Sequence, residues 1–135
     1  MQMSQLGIAV LRVVVGIVFL AHGAQKLFVH GFGGVTHMFA GMHIPLAHES
    51  AILVTLVEFL GGIALILGLG TRWAAILLAI DMAVAIGKVH LRNGFFSSGG
   101  GYEYPLTLLA ALIALTLAGP GSPALGHFGK RGGRR

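Results

Sequence analysis

The sequence predicts an all-α fold, an integral membrane four-helix bundle with both termini on the cytoplasmic side. Of its 135 residues, 56 % are hydrophobic and only 10 % are charged, against about 25 % charged residues in an average soluble domain. Four acidic and nine basic side chains are too few to cover the surface of a small soluble protein. Lipid is therefore expected to be one of its solvents, and residues 1–135 are expected to form a single domain.

Four apolar stretches account for the predicted helices, since crossing a bilayer takes about 20 helical residues. Backbone amides find no partner in lipid, so each stretch should be helical. Pro105 suits the first turn of the last helix, where its missing N–H costs nothing. The predicted spans are residues 6–28, 50–69, 73–91 and 104–118, followed by a basic tail at residues 126–135.

The basic residues set the predicted orientation. Arg72 and the tail fall on the same side of a four-span arrangement, and the positive-inside rule makes that side cytoplasmic. The loops at residues 29–48 and 92–103 then face outward. The stretch at residues 12–23 imitates a cleavable signal peptide, but the apolar run starts before Arg12, so we expect no cleavage.

The formal net charge of +5 does not indicate a nucleic-acid-binding protein. Four bases, Lys130, Arg131, Arg134 and Arg135, lie in a glycine-rich tail, whereas a nucleic-acid groove needs a basic stripe with interleaved aromatics. We expect the tail to face anionic lipid.

The chain has no cysteine, which excludes disulfides, thiolate zinc sites and iron–sulfur clusters. A redox role therefore needs a borrowed electron carrier or histidine ligands.

The two outer loops differ in character. Val35, Met38 and Phe39 recur at helical spacing, which predicts a short amphipathic helix on the membrane surface. The second loop carries Phe95 and Phe96 beside three glycines, which indicates a flexible flap with an aromatic anchor.

The histidines do not predict a metal site. Four of them in the first outer loop are spaced by seven, six and five residues, so no two lie one helical turn apart. A haem held by His22 and His90 is disfavoured, because the two lie at different depths on faces that do not converge. We therefore expect no metal. The four loop histidines are His30, His37, His43 and His48.

Ionisable residues inside the spans are the main functional candidates, because a charge at the bilayer centre costs about 2.5–3.5 kcal/mol and needs a partner. The helical rise places Glu58 and Asp81 about 12–15 Å deep and Arg12 about 24 Å deep, within reach of either acid. We expect these three residues to form a buried polar network. A purely structural ion pair that fixes helix register is the alternative.

A second ionisable group lies nearer the outer opening. On the same count, His22 lies about 9 Å deep and the other members lie within about 5 Å of the outer edge. Two lysines, two histidines and a glutamate below a glycine-rich loop favour a small-molecule pocket. The candidate ligand-binding residues are His22, Lys26, Lys88, His90, Glu103 and Tyr104.

Short motifs follow one another in a characteristic order over residues 4–122. They are Arg12, Gly16, Phe19, His22-Gly23 and Gln25 to Phe28, then Gly31 to Gly34, Glu58 with Gly61-Gly62, Leu67 to Arg72, Gly101 to Leu106, and Gly119-Pro120-Gly121. In their order and spacing the chain resembles the DoxX family of small bacterial four-span membrane proteins. It departs from that pattern after Gly121, where an acidic residue is common and this chain has Ser122.

The resemblance implies a multi-pass protein of the bacterial cytoplasmic (inner) membrane. Such proteins are associated with membrane oxidoreductase systems, including thiosulfate:quinone oxidation, defence against thiol or oxidative stress, and handling of quinone- or catechol-like compounds. We therefore expect a membrane component of an oxidoreductase system that binds a quinone-like or other lipophilic molecule in its outer half. The quinone would be exchangeable, and no cofactor is expected to be bound covalently.

Three roles follow as hypotheses. If the protein is an enzyme, we expect a subunit of a quinone-linked oxidoreductase whose partners are membrane lipids, the lipophilic molecule and a soluble oxidoreductase. A second hypothesis is a non-enzymatic scaffold that recruits a soluble redox enzyme through its tail and loops. A third is a small lipid or solute carrier coupled through the midplane acids.

Overall fold

The computed structural model describes residues 3–126, and this part of the chain is helical with no strand. A π-helical turn at Gln25–His30 joins the first two α-helices, and a second π-helical turn at Ile86–His90 extends the fourth. The all-α prediction is confirmed for these residues, while the tail at residues 127–135 lies outside them. The α-helices are α1 (Met3–Ala24), α2 (Gly31–Gly41), α3 (Ala47–Leu67), α4 (Thr71–Ala85) and α5 (Glu103–Ala118).

The first helical run consists of α1, the first π turn and α2, which together form an apolar stretch of 39 residues that ends at Gly41. The run bends at Gly31, whose φ of +70° and ψ of 165° lie outside the helical region. Beyond the bend, Val35 and Phe39 of α2 are buried against Ala51 of α3. The short helix that the sequence predicted in this segment therefore exists, and its apolar face is covered by protein.

The long helices close into a bundle. Helix α1 packs on α3, α3 on α4, α4 on α5, and α5 back on α1. Three runs have the length and hydropathy to cross a membrane, namely Met3–Gly41, Ala47–Leu67 and Thr71–Asn93, whereas the apolar helix α5 is shorter at 16 residues. The structure is thus a membrane helical bundle, and the fully buried core includes Phe19, Leu65, Leu78, Leu112 and Leu115.

Glycines bring α1 and α3 into backbone contact. A Cβ built on Gly16 would lie 2.9 Å from the carbonyl oxygen of Gly62, and one on Gly62 would overlap the backbone nitrogen of Leu20. A Cβ on Gly23 would overlap the backbone of Phe59. Small residues at helix interfaces permit this approach, and in lipid close packing is a main source of helix association.

We expect Gly23→Ala to destabilise the bundle. The added methyl has no space against the Phe59 backbone, and overpacking typically costs about 1–3 kcal/mol. Gly7→Ala is the matched control on α1, because nothing lies within 4 Å of its Cβ position, and it should be neutral or gain up to about 1 kcal/mol of helix propensity. Thermal unfolding in detergent, followed by circular dichroism, measures both changes. Equal melting temperatures for the two variants would contradict the packing argument.

Candidate functional site

A buried ion pair links the first helical run to α3. The Lys26 ammonium donates to both carboxylate oxygens of Glu58, with Nζ 2.8 Å from Oε1 and 3.0 Å from Oε2. Glu58 is 3 % exposed, whereas the Lys26 side chain keeps 22 % of its surface accessible. No other Lys or Arg forms an ion pair with a carboxylate within residues 3–126.

Local structure explains why these two side chains meet. Gly23, one turn before Lys26, lets α1 approach the α3 backbone beside Phe59. The first π turn begins at Gln25, so Lys26 lies where the helix widens. Such turns insert an extra residue into a helix and occur frequently at functional sites. Phe28 then packs edge-on against Phe59, the neighbour of Glu58 in α3, with ring centroids 6.0 Å apart.

Asp81 of α4 completes the cluster. Its Oδ2 atom is buried and has no hydrogen-bond partner within residues 3–126. The helices α3 and α4 are antiparallel, and Gly61 lies against Leu78. Glu58 lies three residues before Gly61, and Asp81 lies three residues after Leu78. Because the helices are antiparallel, the two carboxylates lie at the same level. We call Lys26, Glu58 and Asp81 the polar cluster.

The polar cluster draws from both groups that the sequence analysis separated. Lys26 was placed with the outer residues, whereas Glu58 and Asp81 were placed at the midplane. The difference arises because the depth count placed Phe28 and Ser50 at the same level. Gly23 lies against Phe59, so along the antiparallel helices Phe28 is level with about residue 54 of α3. Lys26 therefore lies deeper than the count placed it, and its long side chain reaches Glu58.

Within residues 3–126, three other predicted ligand-binding residues form no hydrogen bond or ion pair with the polar cluster. The His22 side chain is exposed, and its Nδ1 lies 2.7 Å from the Val18 carbonyl oxygen on its own helix. His90 Nδ1 lies 3.1 Å from the carbonyl oxygen of Ala85. Lys88 is exposed in the second π turn. The structure thus ties both histidines to their own helical segments.

Glu103 and Tyr104 line a separate open depression of about 510 Å³ at the start of α5. The loop beside it is closed by a hydrogen bond of 2.8 Å from the Glu103 amide to the Phe95 carbonyl oxygen. Phe95 also packs edge-on against Phe96 and Tyr102, with centroids 5.2 and 5.4 Å away. The predicted aromatic anchor is present. None of the four predicted lysines and histidines, His22, Lys26, Lys88 and His90, lines this depression.

Arg12 does not pair with Glu58 or Asp81, which corrects the expectation from the sequence. Its guanidinium donates to the carbonyl oxygen of Pro120 and, at 2.9 Å, to that of Pro123. The chain after α5 returns across this end of the bundle, and carbonyl oxygens there pair with both terminal nitrogens of an arginine that is 3 % exposed. Nε of Arg12 is buried and has no partner among the described residues.

Backbone hydrogen bonds fix the same C-terminal segment. The Ser122 amide donates to the Gln5 carbonyl oxygen and the Gly126 amide to that of Gly68, both at 3.1 Å. Ala124 between them is 4 % exposed. Arg12 therefore acts as an anchor for residues 119–126, at the end of the bundle remote from the loop that holds Phe95.

The comparisons with known proteins identify the family. The DoxX family pattern matches residues 7–91 of the chain. The chain belongs to the DoxX family. This DoxX protein is 33 % identical over 132 residues to "Putative oxidoreductase CatD" of Bacillus subtilis, covering 96 % of this chain and 93 % of that relative. No solved structure matches it.

Two further relatives are membrane or uncharacterised proteins of other bacteria. "Uncharacterized membrane protein Rv3486" of Mycobacterium tuberculosis is 36 % identical over 121 residues, covering 82 % of this chain and 74 % of that protein. An "Uncharacterized protein" of Haemophilus influenzae is 31 % identical over 121 residues, covering 87 % of both chains. Among residues 3–126, no group of three or more His, Cys, Asp or Glu side chains is arranged to hold a metal ion.

We expect strong coupling between Lys26 and Glu58. Removing one partner of a buried pair leaves an uncompensated charge, which costs about 3–5 kcal/mol for a fully buried pair and less here because Lys26 is partly exposed. Lys26→Met and Glu58→Leu should each lower the melting temperature in detergent. The double variant should be more stable than either single variant, since it leaves no unpaired charge. Additive losses in this double-mutant cycle would show that the pair is not coupled.

We expect Arg12→Leu to release the C-terminal segment. Its two carbonyl partners lose their donor, so amide hydrogen exchange at residues 119–126 should rise by about tenfold or more, as local opening becomes easier. Exchange mass spectrometry in detergent measures this change. Arg92→Leu is the control, because exposed Arg92 bonds only to the Lys88 carbonyl oxygen of its own helical segment. Unchanged exchange in Arg12→Leu would contradict the anchoring role.

Proposed function

We propose that this DoxX protein is the membrane component of an oxidoreductase system and binds a quinone-like lipophilic molecule at the polar cluster. The observation that carries the proposal is the buried, unpartnered Oδ2 of Asp81 beside the Lys26–Glu58 pair. An unsatisfied polar atom within a membrane bundle is costly, so a partner for it is expected. The relative named an oxidoreductase in Bacillus subtilis supports the redox context.

The hydrogen-bonding capacity of the polar cluster fits the two oxygen atoms of such a ring. A lysine ammonium has three N–H donors, and Lys26 uses two directions on the oxygens of Glu58. One donor is left for an oxygen atom of the ring. Asp81 Oδ2 can accept a hydrogen bond from a hydroxyl group of the reduced ring, the hydroquinone. The site thus offers one donor and one acceptor without breaking the ion pair.

The composition of the chain indicates which steps of a quinone reaction it can perform and which need a partner protein. Interconversion of a quinone and its hydroquinone moves two electrons and two protons. The electrons would come from, or pass to, a soluble oxidoreductase, because a chain with no cysteine lacks thiol redox chemistry of its own. The polar cluster would bind and orient the ring and exchange its protons through Asp81 and Lys26.

The test is mass spectrometry of lipophilic molecules that stay bound to the protein purified in mild detergent. With reductant present during purification, we expect an isoprenoid hydroquinone with the native chain and a loss of about tenfold or more with Asp81→Asn, which removes a charge-assisted hydrogen bond from a ring hydroxyl worth about 1.5–3 kcal/mol. Glu103→Gln is the matched control, because it neutralises a carboxylate outside the polar cluster. Retention should survive this substitution.

The alternatives predict different outcomes. Loss of the quinone in Glu103→Gln but not in Asp81→Asn would move the site to the depression at the start of α5. An empty native chain whose capture of a soluble redox enzyme depends on residues 127–135 would favour a scaffold. A bound phospholipid or other solute in place of a quinone, lost in Asp81→Asn, would favour the carrier. Each of these results would overturn the proposal.

A further inference from the structure

A shallow apolar groove follows the seam between α3 and α4. Its volume is about 330 Å³, and all of its lining residues are apolar or glycine. Leu60 and Leu77 form its two rims and are 57 % and 53 % exposed. The floor is low because the residues between the rims are small, namely Gly61, Ala64 and Ala74. In a membrane bundle, these exposed rims face the hydrocarbon of the bilayer.

On α4 the lining of the groove ends one turn before Asp81 of the polar cluster. Leu77, the last lining residue there, and Asp81 are four residues apart and therefore lie on the same face of α4. Along α3 the lining extends from Ala64 to Leu56, a distance of about 12 Å at the helical rise. The α4 side of the groove therefore continues to the carboxylate of Asp81.

We propose that this groove holds the hydrocarbon tail of the molecule whose polar head binds at the polar cluster, so that the ligand enters sideways from the bilayer. This inference rests on the proposed function and adds the seat of the tail and the route of entry. The ligand and the seam match in polarity. The apolar tail would lie along the apolar groove, and the hydrogen-bonding ring would lie at the polar cluster.

The physical contribution of the groove is packing and alignment. Lipid tails are as apolar as leucine, so a tail gains little hydrophobic free energy by leaving the bilayer for the protein. It gains dispersion contacts on the small-residue floor. A tail held in the groove also fixes the direction of the ring, which reduces the ordering cost of binding the head.

Photo-crosslinking tests the seat of the tail. The probe is a benzoquinone with a ten-carbon tail that carries a diazirine, added to the full chain in phosphatidylcholine nanodiscs. We expect cross-links that excess unlabelled tailed quinone removes, and we expect them to concentrate on residues 56–64 and 70–77. Ala64→Phe should reduce this labelling by about tenfold by filling the floor. Leu77→Trp, on the other rim, serves as a second variant if Ala64→Phe does not fold.

The matched control is Ala114→Phe, which adds the same ring at an exposed position of α5 and should leave labelling within about twofold of native. A tail-less benzoquinone, added with reductant as its hydroquinone, reports on the head alone, and its binding should depend on Asp81 but not on Ala64. Competable cross-links on other faces, or labelling unchanged in both groove variants, would overturn the groove assignment while the proposed function stands.

Two further outcomes are decisive. If neither the tailed nor the tail-less benzoquinone binds the native chain, the proposed function fails together with this inference. If a diazirine phospholipid labels the groove equally well and benzoquinone does not displace it, the groove holds ordinary bilayer lipid and the inference is overturned.

Discussion

Gly16, Gly23 and Gly62 bring the backbones of α1 and α3 into contact, and the position of the only ion pair in residues 3–126 follows from that contact. One turn beyond Gly23, the Lys26 side chain has only the width of the helix interface to cross before it meets Glu58. A larger residue at the interface would separate the helices and leave two charges in lipid without partners. Close packing therefore allows a buried ion pair to form in so small a bundle, because each charge has its partner within reach.

Much of the fold could be predicted from the sequence, because hydropathy and turn residues are local signals. The end of α3 and the start of α4 follow from Gly68 and Gly70, whose φ values are +71° and +54°. The packing of α2 could not be predicted in the same way. Gly31, with φ +70° and ψ 165°, breaks the helix as a glycine permits, but only the burial of Val35 and Phe39 against α3 fixes where the chain lies beyond it.

The candidate site was harder to predict, because it depends on which charged side chains face one another. Depth counted from the predicted ends of the spans separated Lys26 from Glu58, since the count placed Phe28 and Ser50 at the same level. Arg12 was assigned an acidic partner from its estimated depth and from the balance of charges within the spans. In the structure its guanidinium pairs with backbone carbonyl oxygens of Pro120 and Pro123, and no pattern of charges along the sequence reports such acceptors.

The residues of the polar cluster contribute differently to the stability of the bundle and to ligand binding. Lys26 and Glu58 satisfy each other, so the fold depends on both, and a substitution of either changes stability before it reports on binding. Asp81 differs, because its Oδ2 atom has no protein partner to lose. A ligand that takes the third Lys26 donor and the free Asp81 oxygen leaves the ion pair intact and satisfies a buried acceptor at the same time. Binding at this position would thus stabilise the bundle that forms the site.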